Sequence, residues 1–255
     1  NIKIKIILIF SLLFSLMLKN SFCKSTETKL LKYDFSFSGI TGYIDKNSAQ
    51  RGLQVYIEVC ASCHGMNQLA YRNLVDLGYS KSQVQNIAAQ FELDDIPDEY
   101  GEISKRNAII SDKFVDPFPN MNAAKAANNG AYPPDLSLII KARPDGSNYL
   151  RSLLLGYEDA PDGFDVGNGY YNKYMASNII AMPQPLYGED VEYQDGTKAT
   201  MEQEIIDVVT FLTWAAMPEL ENRRSAGIKS IIFLFIMTIL FYLSYRKIWS
   251  NIEKS

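Results

Sequence analysis

The sequence predicts an all-α protein with long irregular loops, carried on a single transmembrane helix near its C-terminus. Three observations support this: apolar residues recur at helical spacing in several segments, strand signals are few, and an apolar run extends from Ile228 to Tyr245. With 255 residues and 47% hydrophobic content, the chain is long enough for one sizeable core plus a membrane segment. No repeats or low-complexity tracts divide it.

The elements follow in chain order. Lys3 and Lys5 precede an apolar run from Ile6 to Leu18 and then the polar Lys19-Asn20-Ser21, the layout of a secretory signal peptide over residues 1–23. Removal is expected near Cys23 or Lys24, the alternative being an uncleaved anchor. The exported domain then covers residues 24–222. Within it, Ala49 to Val59 reads as a helix with Leu53, Val55, Tyr56 and Val59 on one side, and Gln83 to Leu93 as a second. From Asp112 to Pro134 the chain is rich in Pro, Asn and Gly, which predicts a loop with one short Ala-rich turn. Asp135 is an expected N-cap, and Asn148 to Gly156 a further helix that Gly156 ends. Residues 161–171 read as loop. Thr200 and Gln203 form an expected capping box before "EIIDVVTFLTWAAM", which Pro218 stops.

The segment "FLFIMTILFYLSY" is apolar around its whole circumference, as a membrane helix over residues 226–245 requires. Eighteen helical residues rise about 27 Å, close to the hydrocarbon thickness of a bilayer. Arg223, Arg224 and Lys229 flank it on one side, Arg246, Lys247 and Lys254 on the other, so flanking charge sets no orientation. The signal peptide sets it instead: the domain lies outside and residues 246–255 form a cytoplasmic tail. A short signal without Arg enrichment points to a bacterial inner membrane with the domain facing the periplasm.

The whole-chain charge of -4 conceals a segregation. Residues 25–222 hold 15 Lys and Arg against 28 Asp and Glu, a net charge of -13. Such a domain repels nucleic acid and steers a basic protein toward it. The densest cluster, Asp94, Asp95, Asp98, Glu99 and Glu102, suits either a solvated loop or a docking patch.

The chemistry concentrates in "VCASCHGM", where Cys60, Cys63 and the only histidine, His64, fall within five positions. Structural zinc needs four ligands, and the exported domain supplies no others of this kind. A thioredoxin motif needs a βαβ setting, which the helical pattern lacks. Covalent attachment of haem c accounts for every residue: each thiol adds to a vinyl group and the adjacent imidazole becomes an axial ligand. A second histidine ligand is then impossible, so the sixth position is left to Met, to a weaker ligand such as Lys or Tyr, or is empty. Met66 is too close to His64 to reach the opposite face, and Met201 and Met217 sit at helix ends. Met121, Met175 and Met182 remain; Met182 in "IIAMPQPLYG" is favoured because Pro183 and Pro185 stiffen its arm. The second ring nitrogen of His64 is expected to donate to a backbone carbonyl. A haem sensor or peroxidase is the rival class, but no distal histidine is present for acid–base work.

Together, "QRGLQVYIEVCASCHGMNQLAYRNL", "NNGAYPPDLSLIIKARPDG", "IIAMPQPLYG", "YQDGTKATMEQEIIDVVTFLTWAAMPE" and the C-terminal span resemble the cytochrome c1 family, over nearly the whole exported chain. The resemblance implies a cytochrome c-like haem domain with long loop insertions and one C-terminal helix. It implies His64 and Met182 as iron ligands, Arg143 beside a haem propionate with Tyr149 nearby, and Pro133 and Pro134 in the wall of the haem cleft. It implies one haem c, held through Cys60 and Cys63. The implied activity is single-electron relay within the ubiquinol–cytochrome c oxidoreductase of the respiratory chain. The implied partners are cytochrome b and the Rieske iron–sulfur subunit in a dimeric complex, with cytochrome c as electron acceptor. Some members carry a further disulfide in the domain, for which this chain has no cysteines.

Overall fold

The computed structural model describes residues 28–252. The expected signal segment and residues 253–255 of the expected tail lie outside the described residues. Helix α1 spans Lys46–Glu58, and Asp45 starts it by accepting from the Asn47 and Ser48 amides at 3.0 and 3.3 Å. A 3-10 turn over Cys60–Ser62 follows directly. After a second 3-10 segment, Tyr71–Leu77, helix α2 spans Lys81–Ala88. Ser80 and Gln83 cap it reciprocally, each side chain bonding the other's amide.

Three sequence expectations shift here. Helix α2 stops at Ala88 rather than Leu93, because Glu92–Asp94 forms β1 and pairs antiparallel with β2, Lys105–Asn107. The acidic cluster therefore sits on a two-stranded ribbon. The Ala-rich turn is a helix, α3, Met121–Ala127, capped by Asn120. Asp135 caps no α-helix: one carboxylate oxygen closes a turn onto the Ser137 amide at 2.8 Å, the other accepts from the distant Asn67 amide at 2.6 Å. Only a short 3-10 turn, Ile139–Lys141, follows it.

Helix α4 spans Gly146–Leu155. Gly146 is required there, since a Cβ would lie 1.8 Å from the Ile140 carbonyl oxygen. A second small ribbon pairs β3, Tyr170–Tyr171, with β4, Ile179–Ile180. Helix α5 spans Met201–Ala216. Thr200 accepts from the Gln203 amide, but the Gln203 side chain turns to Asp207, so only half of the expected capping box forms.

The core is organised by α1 crossing α5, the most extensive contact between elements. Gly52 sits at the crossing, where a Cβ would lie 1.9 Å from the Asp207 carbonyl oxygen. Leu53, Tyr56, Ile205, Val209 and Phe211 are almost fully buried around it. The buried Asp207 carboxylate is satisfied by Ser48, Gln203 and two bonds from Arg51 at 2.9 and 3.1 Å. Helix α6, Leu220–Ile252, begins six residues before the expected span and continues unbroken past residue 245. Its 33 residues rise about 50 Å, and it is long and apolar enough to cross a membrane.

Candidate functional site

The end of α1 delivers Cys60 to a tight turn, in which the Cys63 and His64 amides both bond the Cys60 carbonyl, at 3.1 and 2.9 Å. Tyr56, buried on α1, donates its hydroxyl to the His64 carbonyl at 3.1 Å and locks the turn to the helix. Cys60 and Cys63 are free thiols, not bonded to each other. Burial, with Cys63 adding, pushes the Cys60 thiol up to about 12.

His64 Nδ1 lies 2.7 Å from the Pro134 carbonyl oxygen. A carbonyl only accepts, so Nδ1 carries the proton and the Nε2 lone pair is free to ligate. Burial holds His64 below its ordinary pKa, outweighing the Pro134 carbonyl and the Asp135 charge, which push it up. The imidazole is therefore neutral at neutral pH, as a ligand must be.

The chain from Pro134 to Ser137 is laced to the chain from Gly65 to Gln68. The Leu136 amide bonds the Gly65 carbonyl at 2.9 Å, the Gln68 amide bonds Ser137 Oγ at 3.0 Å, and Asp135 takes the Asn67 amide. The Asp116 carboxylate lies close over Gly65, where a Cβ would stand 1.8 Å from Oδ1 and the Asp116 side chain would have to shift. Cys63, Gly65, Asp116, Phe118, Met121 and Pro133 line one cleft beside this lacing. The sequence-predicted Cys60, Cys63, His64, Pro133 and Pro134 thus come together.

Arg143 and Tyr149 form a second group. The guanidinium lies 5.9 Å from the Tyr149 ring centroid, and the Tyr149 hydroxyl donates to Met175 Sδ at 3.9 Å. Arg143 forms no ion pair among the described residues. Met182 does not line the Cys63 cleft; it stands on a separate arm. The Tyr157 hydroxyl donates to the Met182 carbonyl at 3.1 Å, and Leu186 buries the arm's far end. Its side chain packs against the same core that Cys60, Tyr149 and Met175 touch. Among the methionines, Met66 is fully buried, and the sulfurs of Met175 and Met201 accept from Tyr149 and Gln184. The Met182 sulfur has no such bond among the described residues.

Sequence reasoning did not single out Tyr56, Asp116, Asp135 or Tyr157 for the site. Tyr56, four residues ahead of Cys60 on an apolar helical face, reads as core and is also a clasp. For the others, no local pattern exists.

The family described as the Cytochrome C1 family matches residues 35–252. Among curated proteins, the chain is 46% identical over 224 residues to a mitochondrial cytochrome c1-2 haem protein of Solanum tuberosum, covering 88% of this chain and 86% of that one. It is 42% identical over 241 residues to cytochrome c1 of Rhodospirillum rubrum, covering 88% and 89%. It is 43% identical to a protein of Candida albicans named as the catalytic subunit of the mitochondrial cytochrome b-c1 complex, covering 87% and 77%.

Proposed function

The chain belongs to the cytochrome c1 family, and from that premise we propose that it is the haem c subunit of a membrane cytochrome bc1 complex, passing single electrons from a Rieske iron–sulfur subunit to cytochrome c. The observation that carries this reading is the 2.7 Å contact of Nδ1 of His64, the residue after Cys63, with the Pro134 carbonyl oxygen. It leaves Nε2 as the only coordinating nitrogen, next to two free thiols spaced for thioether formation.

Covalently held haem supplies a one-electron iron couple in this site. The residues present fit it. Cys60 and Cys63 provide the two thioether sulfurs, and His64 the neutral imidazole. Met182, whose sulfur has no hydrogen bond among the described residues, would supply a thioether ligand to the iron, and such a ligand would raise the potential. Arg143, unpaired by any carboxylate among the described residues, is available to a propionate, with Tyr149 against it. Pro133 and Pro134 stiffen the cleft wall. No side chain makes or breaks a substrate bond, and none transfers a proton. The work of the chain is to hold, tune and expose an electron carrier, while α6 anchors it with the haem domain on the periplasmic side of a bacterial inner membrane.

Isolation in mild detergent tests the proposal. It predicts co-purification with a b-type cytochrome and an iron–sulfur subunit in a dimeric complex. It also predicts haem that stays on this chain through acid-acetone extraction and is reduced by quinol only when the iron–sulfur subunit is present. A haem that extracts, or a haem protein that purifies alone, contradicts it.

A further inference from the structure

Among the described residues, a turn over residues 37–44 is bonded to the head of the long apolar helix. The Ile44 amide donates to Glu221 Oε1 at 2.9 Å, and Arg224 donates to the Gly42 and Phe37 carbonyls at 2.6 and 2.9 Å. Ile44 is thus held by Glu221 and Gly42 by Arg224, three residues further along α6. The base of the turn is rigid: Phe35 and Phe37 are buried and stacked at 4.8 Å, and the Tyr43 amide bonds the Ser36 carbonyl at 3.0 Å. Gly42 closes it tightly, since a Cβ would lie 2.2 Å from the Ser38 carbonyl oxygen.

At the tip, apolar side chains point outward. Ile40 is 75% exposed and Tyr43 60%. Arg224 stands four residues before Ile228, where the apolar run begins, which is about 6 Å along a helix. The headgroup layer on each side of the hydrocarbon is about 5–8 Å deep. With α6 as a membrane anchor, Arg224 would stand at headgroup depth and the turn within one side chain's reach of it, where tyrosine favours the boundary.

We propose that the 38–43 turn is a membrane foot: Ile40 and Tyr43 enter the lipid interface beside α6 and fix the tilt of the haem domain on its anchor. The occupant is lipid because the turn is continuous with a lipid-facing helix and rides on its first turns. This rests on the reading of α6 as a membrane anchor.

Photo-crosslinking of the assembled complex in bilayers of phosphatidylcholine and phosphatidylglycerol tests it. Benzoylphenylalanine is placed at position 40, at 235 in mid-helix, and at 96 on the acidic ribbon, where the native residues are all exposed. An unchanged haem spectrum confirms folding, and a probe at position 43 serves as a second variant. The expected result is phospholipid adducts at 235, and at 40 several-fold more than at 96. Lipid adducts at 235 with none at 40, equal yields at 40 and 96, or a crosslink from 40 to another polypeptide overturn the foot while leaving the anchor intact. Absence of lipid adducts at 235 overturns the anchor and the foot together.

Discussion

His64 could ligate through Nε2 only while Nδ1 keeps its proton on the Pro134 carbonyl, and the residue that secures this is Asp135, next to that carbonyl. Its two oxygens hold the Asn67 and Ser137 amides and so clamp Pro134 against the Cys60-to-His64 turn. Its charge also favours a positive centre beyond the imidazole. Asp135→Asn removes that charge and weakens the clamp, and both effects favour the reduced iron. The midpoint potential should rise by an amount on the order of 1–2 kcal/mol, or tens of millivolts, the size of a unit charge acting across a partly screened interior. A redox titration that shows no rise contradicts this. Cys60, Cys63 and His64 stood out in the sequence because covalent attachment of haem would need them adjacent. Asp135 was legible only as a polar residue before an apolar run, which suits a helix cap equally well. Where Asn67 lies in space decides between the two uses, and spacing does not encode that.

Helices α1 and α5 build the frame that the site hangs from, and their crossing leaves no room for a side chain at Gly52. Gly52→Ala drives a Cβ into the Asp207 backbone and should cost about 1–3 kcal/mol. Thermal denaturation should then begin several degrees lower with the haem spectrum unchanged, and an unchanged midpoint contradicts the close approach. On the same helix, Glu204 is buried and accepts from the Asp190 and Val191 amides, with its second oxygen unpartnered. Burial raises its pKa to about 7, the Asp190 charge adding, against those amide bonds. The folded state therefore binds this proton more tightly than the unfolded state, so its contribution to stability falls as pH rises from about 4.5 to 7 and stays low above. Glu204→Gln should gain stability relative to the parent as pH passes from 5 to 8 in denaturant melts; a pH-independent difference contradicts the assignment. Periodicity made α1, α4 and α5 readable. It overran α2, because pairing of Glu92–Asp94 with Lys105–Asn107 is a tertiary choice that a local apolar pattern does not carry.

Taken as a whole, the molecule separates its charge: a domain of net charge -13 over residues 25–222, on a helix flanked by basic residues. Such a domain should draw a basic cytochrome c by long-range attraction, so the second-order rate of its oxidation by that partner should fall steadily as salt shortens the Debye length toward about 10 Å at 0.1 M. A salt-independent rate would remove electrostatic steering from the account. The long apolar helix was legible from composition alone, since its residues are apolar on every side. Its seating on the 37–44 turn was not, because Arg224 binds backbone carbonyls, which leave no trace in side-chain identity. The central claim is a closed iron between His64 and Met182. Optical spectra of the oxidised and dithionite-reduced protein, with and without carbon monoxide, test it most directly. The account predicts a c-type spectrum indifferent to carbon monoxide, with a weak red sulfur-to-iron band in the oxidised form, and both features lost in Met182→Leu. A large shift with carbon monoxide in the parent protein, or a red band that survives Met182→Leu, contradicts it.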